Sequence, residues 1–504
     1  MSDIMSMNVL WICADQQRYD TLGCYGNKFV KTPNLDRLAG MGARFERAYT
    51  QSPVCAPSRA SFLTGRYPRT CGVRQNGQDI SGSETLVTKL FADAGYMCGL
   101  AGKLHLSACG RNACKIIEPR IDDGYHYFKW SHHPAGINKN NNWPMNDYTM
   151  WLSSKGAKFE TLNRDDCKYV QVGMDENLHQ SKWCVDMALE CIQSAKNYDL
   201  PWFFSMNLFD PHHPFDPPAE YLERYLDMLD DIPLPNYTEG ELDSKPVFQK
   251  KDQGGAYDTP GNYPYPSMSQ KDHRMLRAAY WAMIDLLDVQ MGRLFDYLES
   301  TGQFENTLII FTSDHGESLG DHGMYLKGPY FYDCNVRVPL IISCPSLIKP
   351  GMVSPALVEL VDLAPTLCEA AGITADTGMQ GRSLWPMLTG NAPADSHRGS
   401  VYCEYYNANI NHRDPLAFTT MVRDDRYKLV RVHDRDKHDR DKKDKKDKKQ
   451  SAVCELYDLE SDPSETFNQA DNPEYAAVKM RMLELMCDRM AETCDPLPFR
   501  KSFW

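Results

Sequence analysis

The sequence predicts an α/β fold with a mostly parallel central sheet, followed by a smaller C-terminal α+β subdomain built on an antiparallel sheet. Apolar runs such as Asn8–Ala14 and Thr307–Ser313 lack polar alternation, which is typical of parallel strands buried on both faces. Helical patterns separate these runs, and the longest covers residues 271–302. From about residue 396 the pattern changes to short strands separated by turns, followed by a helix. We therefore predict a large domain over residues 1–395 and a subdomain over residues 396–504.

Composition and charge restrict the classes of protein to which the chain can belong. Hydrophobic residues make up 42% of the 504 residues, an ordinary share for a globular protein. The formal net charge of -13 argues against nonspecific nucleic-acid binding. No apolar run approaches the roughly 20 residues that a membrane helix requires, and no basic segment precedes the first apolar run. We therefore expect a cytoplasmic protein with neither a nucleic acid nor a membrane as its partner.

The 17 cysteines are scattered through the chain and include no C-x-x-C pair. A disulfide framework or a zinc site would favour even or paired spacing, so we predict that most of these thiols are reduced and buried. The exception is Cys55, in the segment QSPVCAPSRASFLTGR over residues 51–66. Ser58 as N-cap and Gly65 as C-terminal stop would place Cys55 at or near a helix N-terminus, where amide dipoles favour negative charge. On composition alone, a packed thiol is the more common alternative.

Polar residues that could carry chemistry follow four predicted strands, and open α/β sheets bind ligands at the carboxyl ends of their strands. These residues are Asp15 and Gln16, Lys103 and His105, His212 and His213, and Asp314 and His315. Extended backbone would place Lys103 and His105 on one side of a strand end, although a surface strand explains the same alternation. A carboxylate beside an imidazole, as in Asp314 and His315, is a common metal arrangement. Asp15 and the histidines could instead be structural residues.

Residues 55–59, CAPSR, and residues 63–65, LTG, resemble the signature of the type I sulfatases, a family of the alkaline phosphatase superfamily. The resemblance extends from about residue 8 to about residue 388, through the strings DQ, GKLH, PHHP, DHGE and YLKG. It implies a three-layer alkaline-phosphatase-like sandwich with a catalytic domain over residues 1–395. In that family a formylglycine-generating or anaerobic sulfatase-maturating enzyme oxidises the signature cysteine to formylglycine, whose hydrate is the nucleophile. The matching residue here is Cys55.

The resemblance also implies a role for each polar residue. A divalent metal, Ca²⁺ first and Mn²⁺ or Mg²⁺ as alternatives, would be held by Asp15, Gln16, Cys55, Asp314 and His315. Catalysis would use Cys55, Arg59, Lys103, His105, His212 and Lys327, and the substrate would meet Asn76, Lys103, His212 and Lys327. In this division of work His212 protonates the departing alcohol and His105 takes a proton from the hydrate. Gln16 departs from the family's acidic pair and His315 from its frequent Asn, while Asn76 could equally be an ordinary turn residue.

The implied function is hydrolysis of a sulfate monoester, with release of sulfate and an alcohol that is either a sugar or an aryl group. The alternatives are a phosphonate monoester hydrolase or phosphodiesterase of the same superfamily, and a non-catalytic binding protein with an unconverted Cys55.

Residues 130–156 and 237–270 are rich in Asn, Pro, Gly, Tyr and Trp, and we predict that they wall the leaving-group pocket. Residues 434–449 alternate acidic and basic side chains, which predicts a mobile, solvated loop. The oligomeric state is left open, and a homo-oligomer is compatible with the sequence.

Overall fold

The structure is a computed structural model that describes residues 7–110, 113–114, 116–135, 145–407, 417–433, 454–495 and 497. The charged loop predicted over residues 434–449 lies outside the described residues. Among the described helices, none combines the length and the apolar character needed to cross a membrane.

Fifteen strands form three sheets among the described residues. They are β1 (Asn8–Ala14), β2 (Ala43–Tyr49), β3 (Met97–Gly102), β4 (Tyr127–Trp130), β5 (Leu162–Asn163), β6 (Gln171–Val172), β7 (Trp202–Asn207), β8 (Thr307–Ser313), β9 (Arg337–Val338), β10 (Leu340–Ser343), β11 (Met352–Glu359), β12 (Val401–Tyr406), β13 (Phe418–Arg423), β14 (Tyr427–Val432) and β15 (Cys454–Asp458). The large sheet has the order β11-β2-β10-β8-β1-β7-β3-β4, with β9 added to β2. Five of its pairings are parallel and three are antiparallel, which confirms the predicted mostly parallel sheet.

Helices cover both faces of the large sheet. The α-helices of the described residues are Pro33–Gly40, Cys55–Thr64, Pro68–Cys71, Val87–Asp93, Asp147–Ser154, Gln180–Asn197, Ala219–Leu226, Val247–Gly254, Gln270–Ser300, Asp333–Val336, Leu363–Ala370, Trp385–Leu388 and Ala476–Glu492. Successive residues of β1 enter opposite cores, because side chains alternate along a strand. Leu10 packs in the core that includes Gln180–Asn197 and Gln270–Ser300, and Trp11 packs in the core that includes Cys55–Thr64. The fold is therefore the three-layer sandwich that the sequence predicted.

The C-terminal subdomain consists of an antiparallel sheet in the order β12-β13-β14-β15 and the helix Ala476–Glu492. Met482 and Met486 of this helix pack in one apolar cluster with Val422 and Leu456 of the sheet. Burial of these side chains holds the helix on the sheet. The predicted antiparallel sheet with a covering helix is confirmed, while the boundary at residue 395 stays a prediction.

Both segments that we predicted to wall the leaving-group pocket contain a helix. Residues 130–156 include Asp147–Ser154, and residues 237–270 include Val247–Gly254. Each helix has 8 residues. That is about two turns, which is too short to produce a clear apolar periodicity in the sequence.

Candidate active site

Cys55 lies at the amino end of a helix, as predicted, but this helix begins earlier than predicted. It covers Cys55–Thr64 and ends at Gly65, which adopts the left-handed conformation with φ 67°. Ser58 is therefore not the N-cap and lies within the first turn of the helix. Its hydroxyl donates to the backbone carbonyl of Asp314 at 2.6 Å. We expected this hydroxyl to cap the helix, but it is occupied by a tertiary contact that no local sequence pattern reveals.

Polar and charged side chains from separate parts of the chain surround the Cys55 sulfur. Lys327 Nζ lies 3.0 Å from it, His315 Nε2 3.1 Å and Asp15 Oδ1 3.7 Å. Burial disfavours the thiolate, but Lys103, Lys327 and His315 together hold the pKa of the thiol well below its ordinary value. The surroundings of position 55 thus stabilise negative charge.

Asp15, Cys55, Asp314 and His315 form a buried group whose ligand atoms all lie within 4.8 Å of one another. β1 and β8 are neighbouring parallel strands, so their carboxyl ends bring the two carboxylates together. His315 Nδ1 lies 2.9 Å from the carbonyl of Gly316, and a carbonyl can only accept a hydrogen bond. Nδ1 therefore carries the proton, which leaves the lone pair of Nε2 for the group. Two carboxylates, an imidazole nitrogen and the side chain at position 55 suit a divalent cation.

Two cationic side chains pair with the carboxylates of this group. Arg59 Nε donates to Asp314 Oδ2 at 2.8 Å, and Lys103 Nζ forms an ion pair with Asp15. Arg59 is 1% exposed and Lys103 is 2% exposed. Because both cations are buried and paired, their positive charge stays oriented toward the site.

Gln16 and Glu317 form a second, interlocked layer beside Lys327. Gln16 Oε1, the atom expected to bind the metal, accepts a hydrogen bond from Lys327 Nζ at 2.8 Å, and Gln16 Nε2 donates to Glu317. Glu317 is fully buried and also accepts the backbone N–H of Leu319 at 2.8 Å. We did not single out Glu317 from the sequence, although it stands in the DHGE string after β8. Its effect is to hold the Gln16 amide in one orientation.

The backbone that carries Lys103 and His105 is not extended, so that part of the prediction is wrong. β3 ends at Gly102, which has a φ of 101°, and His105 has a φ of 57°. Glu118 accepts the N–H of His105 at 2.9 Å and thereby holds the turn in place. Both side chains nevertheless reach the site, since Lys103 pairs with Asp15 and both Lys103 and His105 lower the pKa of the Cys55 thiol.

His212 and His213 both lie beside the site, with ring centroids 4.1 Å apart. His212 Nδ1 lies 2.6 Å from the backbone carbonyl of His213, so Nδ1 donates and Nε2 is the acceptor in the neutral ring. Burial and the charge of Lys327 lower the pKa of His212, and the neighbouring Asp15 and Cys55 act in the opposite direction. His213 Nδ1 instead lies 3.5 Å from Gln16 Nε2. The structure thus brings both histidines to the site and places each beside a different group.

Asn76 contacts the helix that begins at Cys55. Its Oδ1 accepts a hydrogen bond from the backbone N–H of Ala56 at 3.1 Å. That N–H belongs to the first turn of the helix, where backbone donors have no partner within the helix. Asn76 therefore helps to orient the amino end of the helix, and the rest of its side chain is partly exposed.

Tyr257 is a site neighbour from the segment over residues 237–270, within which the sequence did not single it out. It adopts the left-handed conformation with φ 63° and ψ 31°, which is uncommon for a residue with a side chain. Burial raises the pKa of its hydroxyl, and the charges of Glu317 and Cys55 raise it further. Its ring centroid lies 6.0 Å from that of His213. Strained backbone of this kind concentrates at functional sites.

The family comparisons agree with this fold. Residues 7–373 match the Sulfatase family model, and residues 320–492 match a family described as N-sulphoglucosamine sulphohydrolase, C-terminal. The first match covers well over half of the chain. The fold and the family match are those of a hydrolase of the alkaline phosphatase superfamily.

Named relatives and a solved structure cover nearly the whole chain. An arylsulfatase of Clostridium perfringens is 30% identical over 480 residues, covering 94% of this chain and 92% of the relative. An N-acetylglucosamine-6-O-sulfatase of Bacteroides thetaiotaomicron is 27% identical over 528 residues, covering 98% and 88%. The phosphonate monoester hydrolase of Agrobacterium radiobacter superposes with a TM-score of 0.78 at 26% identity, covering 97% and 96%. The chain belongs to the sulfatase family and is a sulfatase-type enzyme.

Proposed function

We propose that the protein hydrolyses a sulfate monoester, using a formylglycine hydrate derived from Cys55 and a divalent metal, and releases sulfate and an alcohol. The observation that supports this most is the convergence of Lys327, His315 and Asp15 on the Cys55 sulfur, at 3.0 to 3.7 Å. A sulfate monoester is an anion, so attack on its sulfur requires positive charge that is already oriented. The hydrate would supply a hydroxyl nucleophile and a second hydroxyl for product release.

The donor set around Cys55 supports a resident divalent cation. The residues proposed to hold it are Asp15, Gln16, Cys55, Asp314 and His315. When bound, the cation would add positive charge for the sulfuryl oxygens and would acidify a hydroxyl at position 55. Ca²⁺ is proposed first because type I sulfatases usually bind it, and Mn²⁺ and Mg²⁺ are the alternatives. The imidazole nitrogen of His315 is a donor that Mn²⁺ accepts more readily than Ca²⁺ does.

Substrate binding is assigned to the cations and to Asn76. Lys103 and Lys327 contact the sulfuryl oxygens, and Arg59 orients Asp314 while adding positive charge. Asn76 contacts the substrate from its partly exposed position beside the amino end of the Cys55 helix. In these assignments, positive charge lies on the side of position 55 where the sulfate ester would bind.

Two histidines are assigned the proton transfers. Burial and the neighbouring Lys103 lower the pKa of His105 to about 4, so at neutral pH the ring is neutral and can accept a proton from the hydrate. His212, together with Lys327, donates a proton to the oxygen of the departing alcohol. Burial and Lys327 lower the pKa of His212 in the free protein, and the negative charge of a bound ester would favour its protonated form.

The alcohol half of the substrate is proposed to be a sugar, with an aryl group as the alternative. The relative from Bacteroides thetaiotaomicron is named as an N-acetylglucosamine-6-O-sulfatase. His133 and Tyr257 come from the two segments predicted to wall the pocket. The His133 ring contacts Phe209, whose ring centroid lies 4.8 Å from that of His212. The ring centroid of Tyr257 lies 6.0 Å from that of His213. Rings and polar tips of this kind suit a sugar face or an aryl ring.

A second candidate function is hydrolysis of phosphonate monoesters or phosphodiesters. It is favoured by the superposition on a phosphonate monoester hydrolase, and Gln16 and His315 are compatible with it. Comparing kcat/KM on an aryl sulfate and on the matching aryl phosphonate monoester separates the two functions. We expect the sulfate to be the better substrate, and a clear preference for the phosphonate would reverse the assignment.

The conversion of Cys55 is tested by mass spectrometry of the peptide that contains it, after co-expression with a maturating enzyme. We expect the lighter aldehyde-bearing residue, and we expect Cys55→Ala to lose hydrolysis almost completely while keeping its fold. An unconverted Cys55 in protein without turnover would support a non-catalytic binding protein. Wild-type turnover by Cys55→Ala would end the proposal.

A further inference from the structure

His105 belongs to a second group of side chains that could bind a metal. One ligand atom from each of His105, Cys109 and His132 lies within 4.8 Å of the others. Each of the three residues is 5% exposed. Two imidazoles and a thiol are the donors that Zn²⁺ and similar thiophilic cations prefer. Spacing along the chain did not reveal this group, because its members come from two separate segments.

The two segments that carry these histidines are fastened to one buried carboxylate. Glu118 accepts the N–H of His105 at 2.9 Å and the indole N–H of Trp130 at 3.0 Å. The Trp130 ring stacks on His132 with an interplanar angle of 16°, and the rings of His105 and His132 lie 4.5 Å apart. The imidazoles are therefore held close together by groups that are not themselves members of the set.

One nitrogen of the set has no hydrogen-bond partner. His105 Nδ1 is buried and makes no hydrogen bond with any of the described residues. In the tautomer that carries its proton on Nε2, this nitrogen presents a lone pair that a cation would satisfy. Three protein donors would leave the fourth position of a tetrahedral ion for water.

This group differs from the one around Cys55 in its residues and in its chemistry. The two groups share no member. The group around Cys55 contains two carboxylates, Asp15 and Asp314. The second group, which includes His105, contains none. Hard cations prefer the first set, and thiophilic cations prefer the second.

We propose that His105, Cys109 and His132 form an inhibitory site for Zn²⁺ or a cation of similar chemistry. The inference rests on the proposed function, in which His105 accepts a proton. A cation on Nδ1 requires the proton to be on Nε2, and a cation on Nε2 blocks that nitrogen directly. In either case the ring cannot act as a base. Binding forms a bond from the cation to the Cys109 sulfur and releases the thiol proton to solvent, so no oxidant or reductant is needed.

The regulatory part is tested by measuring hydrolysis against buffered free Zn²⁺, with the activating cation in constant excess. We expect Zn²⁺ to inhibit the wild type, and Cys109→Ser to require at least about tenfold more Zn²⁺, since losing even an outer partner of a metal ligand has such an effect. Cys114→Ser is the matched control, because Cys114 is a buried thiol nearby that lies outside the group. It should respond as the wild type does. Equal inhibition of wild type and Cys109→Ser would overturn the proposal, because Zn²⁺ would then act elsewhere.

The site itself is tested without catalysis, using Co²⁺ in a Cys55→Ala background. We expect a thiolate-to-cobalt absorption band that is lost in Cys55→Ala/Cys109→Ser and retained in Cys55→Ala/Cys114→Ser. Thermal unfolding of each variant shows whether it is folded. A band that survives the Cys109 substitution would overturn the site. A band that depends on Cys109 supports the site even if the wild type hydrolyses no sulfate ester, so failure of the proposed function remains distinguishable.

Discussion

Lys327 donates a hydrogen bond to the Cys55 sulfur at 3.0 Å, from a position 272 residues further along the chain. The same ammonium donates to Gln16 Oε1 at 2.8 Å and lies 3.1 Å from His315 Nε2. Lys327 is 3% exposed, so its charge acts in surroundings of low dielectric constant. A cation held by several partners can stabilise developing negative charge without reorganising first.

Replacement of Lys327 by methionine removes this charge and keeps most of the length of the side chain. We expect kcat/KM for a sulfate ester to fall by about 10²–10³, as when one oriented donor to a developing oxyanion is lost. Steady-state kinetics on fully matured protein measures the effect. Lys250→Met is the matched control, because Lys250 pairs with Asp243 at the surface. Near-normal turnover by Lys327→Met would contradict its role.

The two neighbouring histidines should differ in their dependence on the leaving group. If His212 protonates the departing alcohol, His212→Asn should slow esters of poorly acidic alcohols by about 10²–10⁴, and esters of acidic phenols much less. His213→Asn is the matched control and should reduce both rates by a similar, smaller factor. Rates across a series of sulfate esters measure this. An identical leaving-group dependence in both variants would show that His212 is not the acid.

Removal of the divalent cation should abolish turnover reversibly. Without the cation, the sulfuryl group and the nucleophile both lose an electrostatic partner. We expect chelated, dialysed protein to regain activity when Ca²⁺, Mn²⁺ or Mg²⁺ is supplied, with the best ion identifying the resident metal. Asp314→Ala, which removes one member of the ligand group, should require much more of that ion. Full activity in protein whose metal content is far below one per chain would refute the metal assignment.

Tyr257→Phe tests whether the strained tyrosine contacts the substrate through its hydroxyl. Loss of one hydrogen bond to a charged group costs about 1.5–3 kcal/mol, so kcat/KM should fall by at least about tenfold. Tyr263→Phe is the matched control, because its ring also lies near His213, at 6.4 Å. Both variants should unfold at the wild-type temperature. A loss shared equally by the two variants would count against a specific role for Tyr257.

The stability of the fold should depend on pH through Asp285. Its Oδ1 accepts hydrogen bonds from the Lys31 N–H at 2.7 Å and from the Tyr225 hydroxyl at 2.8 Å, and burial raises the pKa of Asp285 to about 6. The folded protein therefore holds this proton more tightly than the unfolded chain does. Its contribution to stability is complete at low pH and is lost as the pH rises through about 6.

Asp285→Asn keeps an oxygen acceptor at Oδ1 and removes the ionisation. In the wild type, ionisation of Asp285 should lower the free energy of unfolding by about 3 kcal/mol between about pH 4 and about pH 6. Asp285→Asn should lack this decrease. Denaturant unfolding at several pH values measures this difference. Parallel curves for wild type and variant would show that Asp285 does not titrate in this range.

The sequence by itself determined the layers of the fold and the positions of most candidate site residues. Buried parallel strands appear as continuous apolar runs, and polar residues directly after such runs must lie at one edge of the sheet. That reasoning placed Asp15 and Asp314 at the ends of strands that proved to be neighbours. Gly65 correctly marked the carboxyl end of the Cys55 helix, whereas the N-cap predicted at Ser58 was wrong because the helix already begins at Cys55.

Only the tertiary structure decided which side chains face one another. Glu317 orients Gln16, Tyr257 lies beside His213, and His132 meets His105 through loops whose paths depend on distant packing. The left-handed backbone at His105 follows the same rule, because Glu118 holds that turn from another segment. Local propensity and periodicity describe neighbours along the chain, whereas these contacts arise from burial and hydrogen bonding between remote segments.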